Sequence, residues 1–285
     1  KKASRVAAEG MVYADYCPKC KVGVVIEVNA ETDFVANGAD FIKLTSDILD
    51  AAIAAKAHTL DEVKALTLAD GTNVQDAVMH RSGITGEKME LDGYNVLEGD
   101  NIEVYDHMGK HTLATMVQLN KENVELGHKI AMQVAAMKPI ALDEASVPQD
   151  VKDNEFQVAV EKTKEEQIEK AVEVALKKAG LNPNLVDSED HIESNIKKGW
   201  LTREDADKAL VIKKEAAEQK AANLPEQMIQ NIAKGRLAKF LKECCLVNQE
   251  FQFGDGDKTS VADYLKKQDK DLAIVAYKRF TLVAE

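Results

Sequence analysis

A hairpin followed by an amphipathic helix is written twice in this chain, and that doubling limits the folds open to it. Two strand-like runs, Gly10 to Tyr16 and Val22 to Val28, flank a turn in which Pro18 sets the geometry. Val22, Val24, Ile26 and Val28 alternate on one face, with Glu27 on the other. The helix-patterned run from Phe41 to Ala55 then carries Phe41, Leu44, Ile48 and Ala52 on one stripe, joined by Leu49 and Ile53. From Met89 the plan recurs. Met89, Leu91, Val96 and Leu97 form strand-like runs, and Gly99-Asp100 turns the chain into Ile102, Val104 and Tyr105-Asp106-His107. After Gly109, Leu113 to Leu119 returns it. A second helix carries Leu126, Ile130, Val134 and Met137, and stops near Lys138-Pro139, where proline disfavours continuation. Asn29 and Asn120 hold corresponding points between strand and helix. If each copy buries its helix on one sheet face, the fold is α+β, with two similar halves, antiparallel sheets and flanking helices.

The rest of the chain fits around these halves. Residues 1–57 form the first, 58–86 a helical connector with Leu60, Val63, Leu66 and Leu68 on its apolar side, and 87–150 the second. Residues 151–245 change character. They are rich in Glu, Lys, Ala and Gln, with one apolar stripe through Phe156, Val160, Ile168, Val172 and Ala175. Gly180 to Asn184 breaks that run, and Thr202 to Ala222 and Pro225 to Cys244 give two more helix patterns. The block is too charged for a compact core and reads as a long helical, coiled-coil-like hairpin inserted in the sheet domain. The lone Trp200 lies near its expected tip, where it either clips a loop to a helix or contacts a partner. Residues 246–285 return to strands, Val247 to Phe253 and Leu272 to Leu282, around a helix from Ser260 to Lys267. Asp263 follows Ser260 at capping-box spacing.

With 49 acidic and 37 basic residues the formal net charge is −12, which argues against nucleic acid or an anionic membrane as the main partner. No apolar run approaches bilayer-spanning length, and Lys1 to Arg5 leads into no signal-peptide core. The stretch Gly254 to Thr259 lacks the glycine spacing of a phosphate loop, and Asp255 and Asp257 would repel phosphate. With no nucleophile elbow, zinc-protease helix or calcium loop, the chain offers no catalytic motif and no cofactor site.

Cys17-Pro18-Lys19-Cys20 has the spacing of a zinc knuckle or a thiol-redox pair. A structural zinc wants four ligands, and the adjacent Cys244 and Cys245 make a poor second pair. The placement between two strands favours a plain turn, with Cys17 and Cys20 as metal or redox residues the alternatives. Thr32-Asp33-Phe34-Val35-Ala36 is the stronger candidate site. A phenylalanine beside a carboxylate in a short polar loop either folds back over its own sheet or enters a partner.

The run Ile26-Glu27-Val28-Asn29-Ala30-Glu31-Thr32-Asp33-Phe34-Val35-Ala36 resembles the signature of the elongation factor Ts family, nucleotide exchange factors of elongation factor Tu. Further matches follow in order: Leu97 to Asp100, Tyr105-Asp106-His107, Ile130 to Ala136 with Lys138-Pro139, Gly235-Arg236 leading to Phe240, Lys258 to Val261, and Arg279-Phe280. The resemblance covers nearly the whole chain. It implies a two-halved α+β core with a coiled-coil excursion, and a non-enzymatic role in speeding GDP release from elongation factor Tu. It implies that Asp33 and Phe34, flanked by Thr32 and Val35, intrude between helices of the partner's GTPase domain near its magnesium, and that His107 touches the same domain. A bacterial-type cytoplasmic location follows, with an organellar one and homodimerisation left open. Against the family pattern, the chain is expected to start after a small N-terminal helical domain. Its excursion is longer than in the simplest members, and the Cys17–Cys20 pair is extra.

Overall fold

The computed structural model describes residues 4–282; Lys1, Lys2 and Ala3, on which the reading of the chain's opening partly rests, lie outside the described residues. The chain divides into two compact units, one of residues 1–146 with 243–285 and one of 147–242. The architecture is α+β, with two three-stranded antiparallel sheets and flanking helices.

In the first unit, β1 (Glu9–Cys17), β2 (Val22–Ala30) and β3 (Glu90–Glu98) form one sheet in the order β1-β2-β3. The second sheet is β4 (Ile102–Asp106), β5 (Leu113–Leu119) and β6 (Ile274–Thr281), again in chain order. The run from Met89, expected to open the second half, therefore completes the first sheet: Val22 pairs with Glu98 and Asn29 with Glu90. The second hairpin is β4–β5, and its third strand is β6.

The two halves match in detail. Each central strand shifts register near its end, at Glu27/Val28 in β2 and at Gln118/Leu119 in β5. The core helix of each half, Ala39–Ala55 or Val124–Met137, ends on a lysine with left-handed backbone, Lys56 (φ 50) or Lys138 (φ 47). Each third strand sends a tyrosine to the carbonyl just beyond that lysine: Tyr94 donates to Ala57 O, and Tyr277 to Pro139 O. Burial pushes both phenols up to about 12, so they stay protonated as donors.

β2 is buried along all nine residues, not on one face as its alternation suggests. Val22, Val24, Ile26 and Val28 pack under the first core helix with Phe41, Ile48 and Ala52. Val25, with Val12 and Leu97, faces Ile102, Ala114 and Met116 of the second sheet. Glycines allow the sheets to approach: a Cβ at Gly23 would press on Met116 Sδ at 3.0 Å, and one at Gly93 would overlap the Phe280 ring. Glu27 is consequently buried on the face expected to be polar, and burial pushes its carboxyl above the usual range.

Between the halves, two short helices, Leu60–Lys64 and Val74–Thr85, add Val63, Val74 and Val78 to the first core, and the turn between them adds Leu68. The helix near the C-terminus is Val261–Gln268, and Ser260 Oγ caps it by accepting from Asp263 N–H at 3.1 Å. Residues 247–253 are not a strand. Their backbone bridges antiparallel to Ser260, with Phe251 N–H donating to Thr259 O at 2.9 Å, and a buried amide serves the other edge: Gln133 Nε2 donates to Glu250 O at 3.1 Å, and its Oε1 accepts from Gln252 N–H at 2.9 Å. Met137, expected on the buried stripe, is exposed at the helix end.

The second unit is helical: Gln149–Lys178, Glu189–Lys197, Arg203–Ala222 and Glu226–Cys244, the last running into the first unit. Contrary to the expectation of no compact core, it holds two small clusters. Leu176, Val186, Ile192, Leu201, Ala206 and Ala209 form one, and Ala159, Val160, Ile229 and Ala233 the other. Small alanines let charged helices close on each other without long apolar stripes. Trp200 clips nothing down; it is 63 % exposed, with Lys198 Nζ 4.8 Å over its ring. Among the described residues, no helix is long and apolar enough to cross a membrane.

Two outcomes follow from the buried sheet. Gly93→Ala forces Phe280 aside and costs about 1–3 kcal/mol in urea unfolding, of which Phe280→Leu in the same chain restores part. A carboxyl whose folded pKa is raised favours folding most below its unfolded pKa and loses that contribution as pH rises through the folded value. Glu27→Gln therefore melts above the parent at neutral pH, and the gap closes as pH falls below the ordinary carboxylate range.

Candidate partner-binding site

Thr32 to Ala36, read as a loop, is one turn of α-helix, α1 (Asp33–Ala36). Thr32 starts it with extended backbone, and its Oγ1 accepts the Val35 N–H at 3.3 Å. Asp33 puts a negative charge at the first helical position, where the free N–H groups favour it. Ala36 N–H donates to Thr32 O at 3.1 Å, Asn37 N–H to Asp33 O at 2.8 Å, and Gly38 N–H to Val35 O at 3.0 Å. Gly38 then caps α2 (Ala39–Ala55), so two helices share one corner.

The turn is held from behind. Ala36 is buried in the first core and Val35 is half-buried against it. Glu87, beyond the connector, clamps the approach: Oε1 accepts Glu31 N–H at 3.1 Å and Thr32 N–H at 3.0 Å, and Oε2 accepts the Thr32 hydroxyl at 2.7 Å. Glu31 Oε1 in turn accepts Lys88 N–H at 2.6 Å and lies 3.4 Å from Arg5, whose guanidinium also donates to Gly86 O. These bonds fix the backbone on which Phe34 stands.

Phe34 itself is 87 % exposed. It does not fold back over its sheet. The ring borders a shallow depression with Asn37, Asp40, Phe41 and Arg81, where Arg81 and Asp40 pair at 3.2 Å. A large apolar side chain on a rigid turn, beside a carboxylate and a recess, is a shape for insertion between elements of another protein.

His107 lies on the other sheet's hairpin, half-buried at the start of a 3₁₀ turn, with Nδ1 3.2 Å from Tyr105 Oη. Met108 follows with φ 58 and is 68 % exposed. His111 anchors this tip to the first sheet: it stacks on Tyr13 at 4.6 Å, its Nδ1 lies 3.1 Å from Asp106 Oδ2, and its carbonyl accepts Val12 N–H at 2.7 Å. Among the described residues no hydrogen bond or ring contact joins His107 to α1; the structure presents them as separate points on one unit. Cys17 and Cys20 stand at the far end of the β1–β2 hairpin from α1, and no group of three or more His, Cys, Asp or Glu among the described residues could hold a metal ion. Sequence reasoning missed Glu87 and Met108. Glu87 lies 55 residues from Thr32, and no local pattern marks it.

The family model described as Elongation factor TS matches this chain over residues 31–172 and 157–284. Among curated proteins, an Elongation factor Ts from Phocaeicola vulgatus is 59 % identical over 285 residues, covering 100 % of this chain and 85 % of the relative. One from Bacteroides fragilis is 58 % identical over 290 residues with the same coverage. A more distant one from Porphyromonas gingivalis is 32 % identical over 286 residues, covering 100 % of this chain and 82 % of its own length.

Removing the clamp should loosen α1 without unfolding the sheet. Glu87→Ala leaves three donors without their acceptor, costs about 1–3 kcal/mol, and speeds hydrogen exchange at the Thr32 and Val35 amides while Val24 and Ile26 stay protected.

Proposed function

The chain belongs to the elongation factor Ts family, and on that premise we propose that it binds elongation factor Tu carrying GDP and speeds the nucleotide's release. No bond is made or broken in that action, so it needs neither a catalytic residue nor a cofactor of its own. The observation that carries the reading is Phe34, 87 % exposed on a turn held by its cap, by buried Ala36 and by Glu87. Burying such a ring in a partner contributes roughly 1.5–3 kcal/mol, and a pre-set turn loses little freedom on docking.

In this reading Phe34 wedges between helices of the partner's GTPase domain, and Asp33 accepts backbone hydrogen bonds there. Thr32 and Val35 hold the turn, and His107 makes a second contact with the same domain. The partner's magnesium demands near-ideal octahedral coordination and bridges GDP to protein, so a helix displaced beside it weakens the nucleotide's hold. Phe34 drives the change only if it binds the displaced state better than the resting one. The coupling is reciprocal: GDP weakens the complex by the factor through which the complex weakens GDP. A net charge of −12 fits a protein partner rather than nucleic acid or a membrane, and the bacterial relatives fit work in the cytoplasm.

The test is release of a fluorescent GDP analogue from elongation factor Tu. Phe34→Ala slows the stimulated release at least about tenfold with an unchanged melting curve, and His107→Ala about two- to fivefold. Parent-like rates for Phe34→Ala would remove the wedge. Binding by the parent chain without faster release would make the protein a passive adaptor.

A further inference from the structure

The chain has two cysteine pairs, and their surroundings are opposite. Cys244 and Cys245 are buried, with sulfurs 3.8 Å apart, and burial pushes the Cys245 thiol up to about 12. Cys17 and Cys20 close the turn between β1 and β2 and are half-exposed, with the exposed Pro18 and Lys19 between them. The Cys20 N–H donates to Cys17 Sγ at 3.1 Å, and Lys21, which adopts φ 57, donates its N–H to Cys17 O at 2.8 Å. This tight turn brings the two side chains to one side of the hairpin end. Hydrogen bonding from the Cys20 side chain, then from the Cys20 N–H, holds the Cys17 thiol below its ordinary range, while its partner's hydrogen bond holds Cys20 above. The N–H bond into Cys17 Sγ favours its thiolate over that of Cys20, three residues on.

We propose that Cys17 and Cys20 form a peroxide-reactive dithiol that closes to an intramolecular disulfide. The Cys17 thiolate attacks one oxygen of hydrogen peroxide and the O–O bond breaks, leaving a sulfenic acid on Cys17 and a hydroxide that is protonated to water. Cys20 sulfur then attacks Cys17 sulfur. The S–O bond breaks, and the departing hydroxide takes the Cys20 proton as a second water. Two thiols lose two electrons and one peroxide gains them; a dithiol reductant reverses the change. The absence of a third ligand among the described residues favours this chemistry over a metal site within one chain. The turn lies at the opposite end of the hairpin from α1, since Cys17 pairs with Val22 and Glu9 with Ala30, a separation of about 30 Å along nine-residue strands. Oxidation there leaves Phe34 undisturbed.

The full chain, reduced and then treated with equimolar hydrogen peroxide, is expected to lose about 2 Da and to keep two alkylatable thiols, mapped to Cys244 and Cys245 after denaturation. Cys20→Ser stops at the sulfenic acid, which dimedone traps on Cys17. Cys17→Ser gives no such adduct at Cys20 and consumes peroxide about tenfold more slowly. Four alkylatable thiols after treatment, or first oxidation at Cys244 or Cys245, would overturn the proposal. These are mass readouts, so their failure leaves the exchange reading standing, and loss of GDP release in Phe34→Ala says nothing about the thiols.

Discussion

β2 is covered on both faces, and the arrangement of the first unit follows from that burial. A strand with one solvated face could have served a single helix-backed sheet. Here Val22, Val24, Ile26 and Val28 meet the first core helix while Val25 meets the second sheet. Each such side chain contributes roughly 1.5–3 kcal/mol when fully removed from water. Two sheets sharing that layer must keep a fixed distance, which is why Gly23 and Gly93 stand where Met116 and Phe280 approach. The buried Glu27 is the cost of covering a face that still carries one carboxyl.

Rigidity at β2 reaches α1 through a short path. Ala30 ends the strand, Glu31 and Thr32 are gripped by the Glu87 carboxylate, and Ala36 returns to the core. An exposed phenylalanine on a slack loop would spend most of its time collapsed on its own surface. On this turn it stands out because the backbone on either side of it is held, by Glu87 before it and by the helical bonds of Ala36, Asn37 and Gly38 after it. The second hairpin is treated alike: His111 locks the tip to Tyr13 and Val12, leaving His107 and Met108 at a defined place on the rim.

Elements with a regular hydrophobic period were legible in the sequence, although the period of β2 hid its second buried face. The first hairpin, both core helices, β4, β5 and the Ser260-capped helix all show their period directly. Pairing was not legible where it depended on distant residues. β3 belongs to the first sheet because Glu90 meets Asn29, a choice no local pattern encodes. Tyr94 and Tyr277, each reaching the carbonyl past a helix-ending lysine, mark the two third strands as equivalents and could have flagged the error. Residues 247–253 alternate like a strand, yet their backbone is shared between an isolated bridge to Ser260 and the Gln133 amide. The helix Glu189–Lys197 was missed because it is mostly polar, and α1 because four residues carry no period. Of the candidate site, the stretch Thr32, Asp33, Phe34, Val35 stood out as a phenylalanine beside a carboxylate in a short polar run, while its role, and His107, came from resemblance to a family. That Phe34 is exposed, and that Glu87 holds its base, needed coordinates.

Lys56 and Lys138 end their helices in a backbone conformation that a side chain resists and glycine accepts. The sequence has kept a disfavoured residue at both equivalent corners. Both lysines are exposed, and the Lys56 corner lies at the far end of its core helix from α1. It is therefore a place where heat tolerance could be raised by design, leaving α1 and the packing between sheets unaltered.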